Sequence, residues 1–525
     1  MSRRSFMYRA GAFVFGLLGW SAQPARANRE RATTLTILHT NDIHGHLSAW
    51  TGWDGDLKDK TIGGFGRLAG AIAQARKVAK NSILLDAGDL IGDSMIADLT
   101  EGEAMVKALN YLGYDALSIG NHEPDFGMAV LRARMKDASF TIIAANLVER
   151  NKSKLFTKPY IVKKLNGVTI GILGLAYPKT PWTTAAKNVA EVEFQDPVPV
   201  VKHYLPTIRN AGAQLIVVLS HLGLGGDKAL AKAVEGIDVI VGGHSHNRMS
   251  EAEKVGTTLI VQAGAHGSDL GRVELTVEEG KITGHACSLT LLDHSKVEAD
   301  ADAERFLMGL LEPYRKALDE VVGTAGGRLV RAQTLAGQQA RKRDEESPID
   351  SLFADILREQ TKADVALLPG VGYGVAIPAG PITAAMLRQM VPHEGKVVTM
   401  RLSGAQIIDV LEQAVENTFT DDQAVKVGGM IQVAGIRFRY DPKQTKGNRV
   451  WHVERTEGRW NPTDEYTVAT NTMMAGGGHN YQTLTKGEKR VEHTTQYEMT
   501  LDWFLKKSPV TTPRLGRINK ADFNK

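Results

Sequence analysis

Short apolar runs recur along residues 30–292, at 35–38, 83–85, 116–119, 140–143, 168–173, 215–219, 239–241 and 259–261. Each reads as a buried strand. Several are separated by stretches with apolar residues at helical spacing, at 67–78, 103–112 and 227–234. Strands alternating with helices predict a layered α/β domain, in which functional side chains gather where the strands end.

Beyond residue 292 the pattern changes. Residues 297–322 are charged and carry Phe306, Leu310, Leu311, Tyr314 and Leu318 near helical spacing, which predicts a linker helix over 298–322. Gly323, Gly326 and Gly327 break it. Residues 330–525 read as a second, smaller α/β domain, with helices at 348–361 and 403–416 and a strand at 364–368.

The amino terminus lies outside both domains. Ser2-Arg3-Arg4-Ser5-Phe6-Met7 precedes an apolar run over residues 10–20, and Ala25-Arg26-Ala27 supplies small residues for cleavage. That run is well short of the roughly 20 residues that cross a bilayer. Residues 1–27 therefore predict a cleaved twin-arginine export signal and a periplasmic or secreted product with no stable membrane insertion. Without the four Arg of this segment, 59 basic residues face 59 acidic ones. A neutral chain argues against a nucleic-acid polymer or an anionic membrane as partner. The twin-arginine route carries folded proteins, which suits a chain that captures metal before export. Nothing in the sequence sets an oligomeric state.

Cys287 is the only cysteine, which excludes an intramolecular disulfide and a thiolate metal cage. Any metal must be held by His, Asp and Asn, a ligand set for Zn, Mn, Fe or Mg. Such residues follow five of the apolar runs: Asp42 and His44, Asp89, Asn121 and His122, His221, and His244 and His246. Asp-x-His and His-x-His place alternate side chains on one side of an extended segment, where both can face one ion. Asp42, His44, Asp89, Asn121, His221, His244 and His246 are too many for one tetrahedral site with an open position. They suit two ions about 3.5–4 Å apart with a shared carboxylate. Asp89 is the natural bridge, because Gly88 beside it permits close backbone approach. In the stretch 120–125, His122 offers a proton donor and Asp125 a group to orient it. Asp86 and His46 read as supporting or surface groups, Asn41 as a turn holder, and His39, His203 and His266 as structural histidines.

In this order, Asp-x-His, Gly-Asp, Gly-Asn-His-Glu, a lone His and Gly-His-x-His resemble the calcineurin-like metallophosphoesterases. More narrowly, His39-Thr40-Asn41-Asp42-Ile43-His44-Gly45-His46 and Gly-Asn-His-Glu-x-Asp are similar to the 5′-nucleotidase branch, in register over residues 34–275. The resemblance implies a four-layer-type metallophosphoesterase sandwich over 30–292, joined by the linker helix to a 5′-nucleotidase-like substrate domain over 330–525. It implies one divalent ion on Asp42, His44, Asp89 and His246 and a second on Asp89, Asn121, His221 and His244. Mn or Zn are the expected ions, with Fe or Mg as alternatives. His122 would protonate or stabilise the reacting group, oriented by Asp125. Two cations lower the pKa of a bridging water, and hydroxide attacks in line with the leaving oxygen.

In the second domain, Gln432-Val433-Ala434-Gly435 is similar to the family's Gln-Val-Ser-Gly turn, and Ala475-Gly476-Gly477-Gly478 to its Gly-rich loop. The substrate positions depart from the family. Where it carries Asn-Gly-Gly-Gly-Ile-Arg, this chain has Pro369-Gly370-Val371-Gly372-Tyr373-Gly374, without amide or guanidinium. The Phe pair that sandwiches the base aligns with Met430 and Met473, and the ribose-binding Asp with His479. Tyr373, Met430, Met473 and His479 are thus the candidate substrate contacts, and a phosphate-facing Arg falls near Arg341 or Arg343. A missing charge-assisted hydrogen bond costs about 1.5–3 kcal/mol, and a lost aromatic partner for a base about 1–3 kcal/mol. Ordinary nucleotide recognition should therefore be weak.

The expected activity is hydrolysis of a small, nucleotide-like phosphoester. Leu367-Leu368-Pro369-Gly370 and Ile377-Pro378-Ala379-Gly380-Pro381-Ile382-Thr383 instead resemble the thiosulfohydrolases of the Sox sulfur-oxidation system. That resemblance implies a sulfur-carrier protein as partner and release of sulfate from its cysteine-S-thiosulfonate. A third reading is a metal-loaded protein that binds a ligand without turnover.

Overall fold

The computed structural model describes residues 32–52, 55–79, 82–152, 154–330, 344–370, 376–392, 395–420 and 428–521. The export signal expected at 1–27, Tyr373, Arg341 and Arg343 lie outside the described residues. Among the described residues, no helix is long and apolar enough to cross a membrane.

The amino-terminal domain is built on two six-stranded sheets. The first runs in the order Lys281–Leu291, Asp269–Glu278, Thr33–Thr40, Ser82–Asp86, Ala116–Ser118, Thr141–Ile143. The second runs Glu253–Val255, Thr258–Val261, Val239–Gly242, Leu215–Ser220, Val168–Leu175, Tyr160–Leu165. Leu35, Ile37, Ile83 and Leu85 of the first sheet meet Ile170, Ile172, Leu215 and Val217 of the second in one buried cluster. Alternate residues face outward onto helices. Leu38, Leu84 and Leu117 pack against Phe65–Val78, Glu103–Leu112 and Met128–Asp137. Leu173, Ile216 and Val218 pack against Pro197–Asn210 and Gly223–Ala233. Helix, sheet, sheet and helix make the four expected layers. Strands covered on both faces need apolar residues at every position, which is why they read as continuous runs.

The alternating hairpin of Asp269–Glu278 and Lys281–Leu291 completes the first sheet. Its first strand pairs antiparallel with Thr33–Thr40, Leu35 opposite Leu275 and Ile37 opposite Val273.

The helix expected over 298–322 is shorter. Asp300 caps Ala301–Leu311, its carboxylate accepting from the Ala303 N–H at 2.9 Å, and Pro313 then interrupts the helical ladder. A separate turn follows at Arg315–Leu318. Ala303 and Leu307 bury into the first domain's helical layer, so this helix is part of that core. Val321–Ala325, expected as helix end and break, is a strand paired with Gly380–Thr383.

The second domain holds a five-stranded sheet in the order Gln432–Ala434, Val365–Leu368, Glu465–Asn471, Lys396–Ser403, Glu488–Thr495. Pro348–Thr361, Val365–Leu368 and Gly404–Phe419 lie where the sequence placed helix, strand and helix. Ser347 caps the first helix, and Ser403 with Gln406 forms a capping box on the other.

The two domains dock through the short helix Met95–Leu99. Met95 packs against the second domain's core, and Asp98 accepts from Arg388 Nε at 2.6 Å and from a second guanidinium nitrogen at 3.1 Å.

Candidate metal centre

Thr33–Thr40, Ser82–Asp86 and Ala116–Ser118 run parallel in the first sheet, as do Leu215–Ser220 and Val239–Gly242 in the second. The segments after all five strands converge. Asp42, His44 and His246 form one group and Asp89, His221 and His244 another, the possible ligand atoms of each lying within 4.8 Å of one another. His44 Nε2 is 3.2 Å from His246 Nε2 and 3.8 Å from Asp89 Oδ2, and His221 Nε2 is 2.9 Å from that same oxygen. Asp89 thus stands between the two groups. Asn121 is buried, and among the described residues its Oδ1 accepts no hydrogen bond.

The Asp-x-His and His-x-His pairs converge by a different backbone from the extended one expected. Asp42, His44, Asp89, His244 and His246 have φ of 52°, 49°, 56°, 71° and 57°, the left-handed region. Such conformations are costly for these residues and persist where the surrounding structure imposes them, typically at functional sites. Nor do His244 and His246 share a group, since one joins Asp89 and the other Asp42. Gly88 is the tight point. A Cβ there would lie 2.7 Å from Gly120 N and 2.9 Å from His221 Nδ1, so a side chain would push the two sheets' loops apart.

The electrostatics suit cations. Burial opposes ionisation of Asp89, yet His221 and His122 hold its carboxyl well below the usual range. Burial likewise opposes charge on His221, but Asp89 pushes its pKa up to about 10. Burial, reinforced by His221, pushes His244 down to about 3, leaving a neutral ring as a metal ligand requires. Buried carboxylates among imidazoles, with an unengaged amide oxygen beside them, fit a pair of divalent ions.

His122 Nδ1 lies 2.6 Å from Asp125 Oδ2, and Asp125 Oδ1 accepts from Thr184 Oγ1 at 2.9 Å. The His122 main-chain N–H donates to Asp89 Oδ1 at 2.8 Å, which ties this histidine to the shared carboxylate. Burial works against its charge, but Asp125 and then Asp89 hold its pKa well above the ordinary histidine value.

Two buried acids here were not singled out in the sequence. Glu123 accepts from the N–H groups of Leu90 at 2.7 Å, Gly120 at 2.5 Å and Asp89 at 3.1 Å, binding the Asp89 loop to the 120–125 loop. Its place inside Gly-Asn-His-Glu, directly after the buried strand Ala116–Ser118, was the available signal, since a buried acid needs partners. Asp93 lies 3.3 Å from His44 Nδ1 and no motif marks it. Asp86 is fully buried and accepts from Thr40 Oγ1 and the Gly88 N–H, with burial raising its pKa to about 7. Asn41 fixes its loop to a distant strand, donating to Gly264 O and accepting from the Ala263 N–H. His46 stacks on His266 with ring centroids 4.3 Å apart, His39 is buried, and His203 is exposed on its helix.

The candidate substrate contacts separate. Met430 is fully buried among Val398, Met400 and Val433. Methionine serves apolar packing as well as it covers a ring. Met473 is half-buried against Gly478. His479 has a left-handed φ of 51°, in the turn Gly478–Asn480 that approaches Thr180–Thr183 of the first domain.

The calcineurin-like phosphoesterase family matches residues 35–248, and the 5′-nucleotidase C-terminal domain family matches residues 321–486. A trifunctional nucleotide phosphoesterase protein of Bacillus subtilis, YfkN, is 28% identical over 539 residues covering 93% of this chain. The chain spans 35% of that relative's length. The structure of a 5′-nucleotidase precursor from Thermus thermophilus is similar with a TM-score of 0.81 at 29% identity, over 93% of this chain and 99% of that one. A sulfate thiohydrolase, SoxB, also from Thermus thermophilus, has a TM-score of 0.81 at 22% identity, over 93% and 96%. The last is a likeness of fold alone.

Proposed function

We propose, from the match of residues 35–248 to the calcineurin-like phosphoesterase family and of residues 321–486 to the 5′-nucleotidase C-terminal domain family, that the chain is an exported, dimetal-dependent hydrolase of small, nucleotide-like phosphoesters. The observation that carries this reading is the convergence of both sheets' strand ends on two ion-holding groups with Asp89 between them. Asp42, His44, Asp89 and His246 would hold one divalent ion, and Asp89, Asn121, His221 and His244 the other. Such a pair, when bound, neutralises phosphate charge and acidifies a water for in-line attack.

This chain's own residues do the rest. Asp125 holds the His122 ring by Nδ1, which sets the tautomer and leaves Nε2 to meet the reacting group. A protonated His122 then stabilises or protonates the leaving oxygen. Asp125→Asn should therefore move the high-pH limb of kcat/KM to lower pH. The carboxylate raises the histidine pKa, so without it the acid form is lost sooner as pH rises. A pH–rate profile checks this, and an unmoved limb would detach Asp125 from His122 in function.

Mature protein loaded with Mn or Zn should release phosphate from members of a panel of nucleotides, other phosphomonoesters and cyclic phosphodiesters. Inertness across that panel with both ions bound would sink the phosphoester reading. One observation favours a second reading, the thiosulfohydrolase: Met430 is in the core, and Pro369-Gly370 stands where nucleotidases carry polar substrate contacts. It predicts sulfate release from a cysteine-S-thiosulfonate peptide included in the same panel. Export by the twin-arginine route predicts that Arg3→Lys with Arg4→Lys leaves the chain in the cytoplasm, checked by cell fractionation.

A further inference from the structure

His44 presents its two ring nitrogens to different neighbours. Nε2 faces His246, Asp42 and Asp89 at 3.2, 3.8 and 3.8 Å, while Nδ1 lies 3.3 Å from Asp93 Oδ2. Both residues are nearly inaccessible to solvent, at 1% and 3% exposure. We propose that Asp93 is a positioning residue for His44, its carboxylate set against Nδ1 so that Nε2 stays turned toward the ion shared with Asp42 and His246. This inference rests on the two-ion reading above.

The surrounding backbone fixes the pair. The His44 N–H donates to Asp89 O at 2.9 Å and the Gly45 N–H to Leu90 O at 3.0 Å, lacing the 42–46 loop to the 88–92 loop. Gly45, at φ 70°, sits so close that a Cβ would be 1.9 Å from Ser94 Oγ and 2.8 Å from Gly92 O. On the far side Ser94 caps the helix Met95–Leu99, accepting from the Ala97 N–H at 3.2 Å, and Met95 is packed on the second domain. Asp93 is thus held from both directions. A neutral imidazole that binds metal through one nitrogen carries its proton on the other, and a carboxylate there orients the ring and raises its basicity.

The test reads metal binding, not turnover. Apo protein is titrated with Zn in a competing chelator, and ions per chain are counted by elemental analysis after dialysis. Wild type should bind two ions. Asp93→Asn should weaken one of them about 10–100-fold and leave the other unchanged. Asp93→Glu should recover part of the loss. Asp125→Asn, which touches His122 and not His44, should leave both affinities within about twofold, and matching apo melting temperatures exclude misfolding. Two wild-type affinities in Asp93→Asn would overturn the inference while leaving the two-ion reading standing. Equal weakening of both sites, or a third ion that Asp93→Asn abolishes, would overturn it by making Asp93 a general scaffold or a ligand. A wild type that binds no ion would sink both.

Discussion

Replacing His122 by Ala should lower kcat for phosphoester hydrolysis about 10²–10⁴-fold, the range that a positioned proton donor contributes. Both ions should stay bound. The substitution removes the imidazole that pairs with Asp125 and keeps the main-chain N–H that donates to Asp89. The ion-holding groups therefore lose no ligand and no backbone support. KM should change little, because a group that acts on the leaving oxygen matters in the transition state more than in the bound substrate. Steady-state kinetics with parallel elemental analysis decides the matter. A kcat within a few-fold of wild type, at full metal content, would remove His122 from the chemistry. Abolition of activity would equally exclude a role confined to ligand binding.

The largest loss is expected from Asp89→Ala. This side chain faces His221 at 2.9 Å and His44 at 3.8 Å, so both ion-holding groups lose their shared oxygen together. Metal content should fall below one ion per chain and activity by about 10³-fold or more, which corresponds to about 4 kcal/mol or more of transition-state stabilisation. Chelator treatment of wild type should give the same loss. Added Mn or Zn should restore the chelated wild type and leave Asp89→Ala inactive. A variant that keeps two ions would place the bridge on another residue.

Much of this was legible in the chain because two physical demands leave local marks. Strands such as Leu215–Ser220, covered on both faces, have to be apolar at every position. The residue types able to hold a metal are few, so Asp42, Asp89, His221 and His244 stand out at strand ends as candidates. What was missed depends on contacts between distant segments. Helix Pro197–Asn210 carries Val201, Tyr204, Leu205 and Ile208 at helical spacing, but Pro197, Pro199 and Pro206 read as helix breaks and mask it until tertiary packing is seen. Asp93 meets His44 only because the loops are laced by backbone bonds that no side chain announces. The left-handed φ at Asp42 and His44 is likewise imposed by tertiary structure. Alignment set Met430 where the family carries Phe, but position in an alignment does not carry exposure, and the burial of this side chain was not legible.

The pairing of Thr33–Thr40 with Asp269–Glu278 sets an order of events on the ribosome. The first strand of the sheet waits, with one edge unpaired, until residues far along the chain have emerged. By then His221, His244 and His246 are also out of the tunnel, whereas any nascent chain ending before residue 244 lacks part of both groups. With the two ions proposed above, ion capture would be a late step in biosynthesis, taken by a finished domain. A stalled chain released before that point should leave the ribosome without its cations.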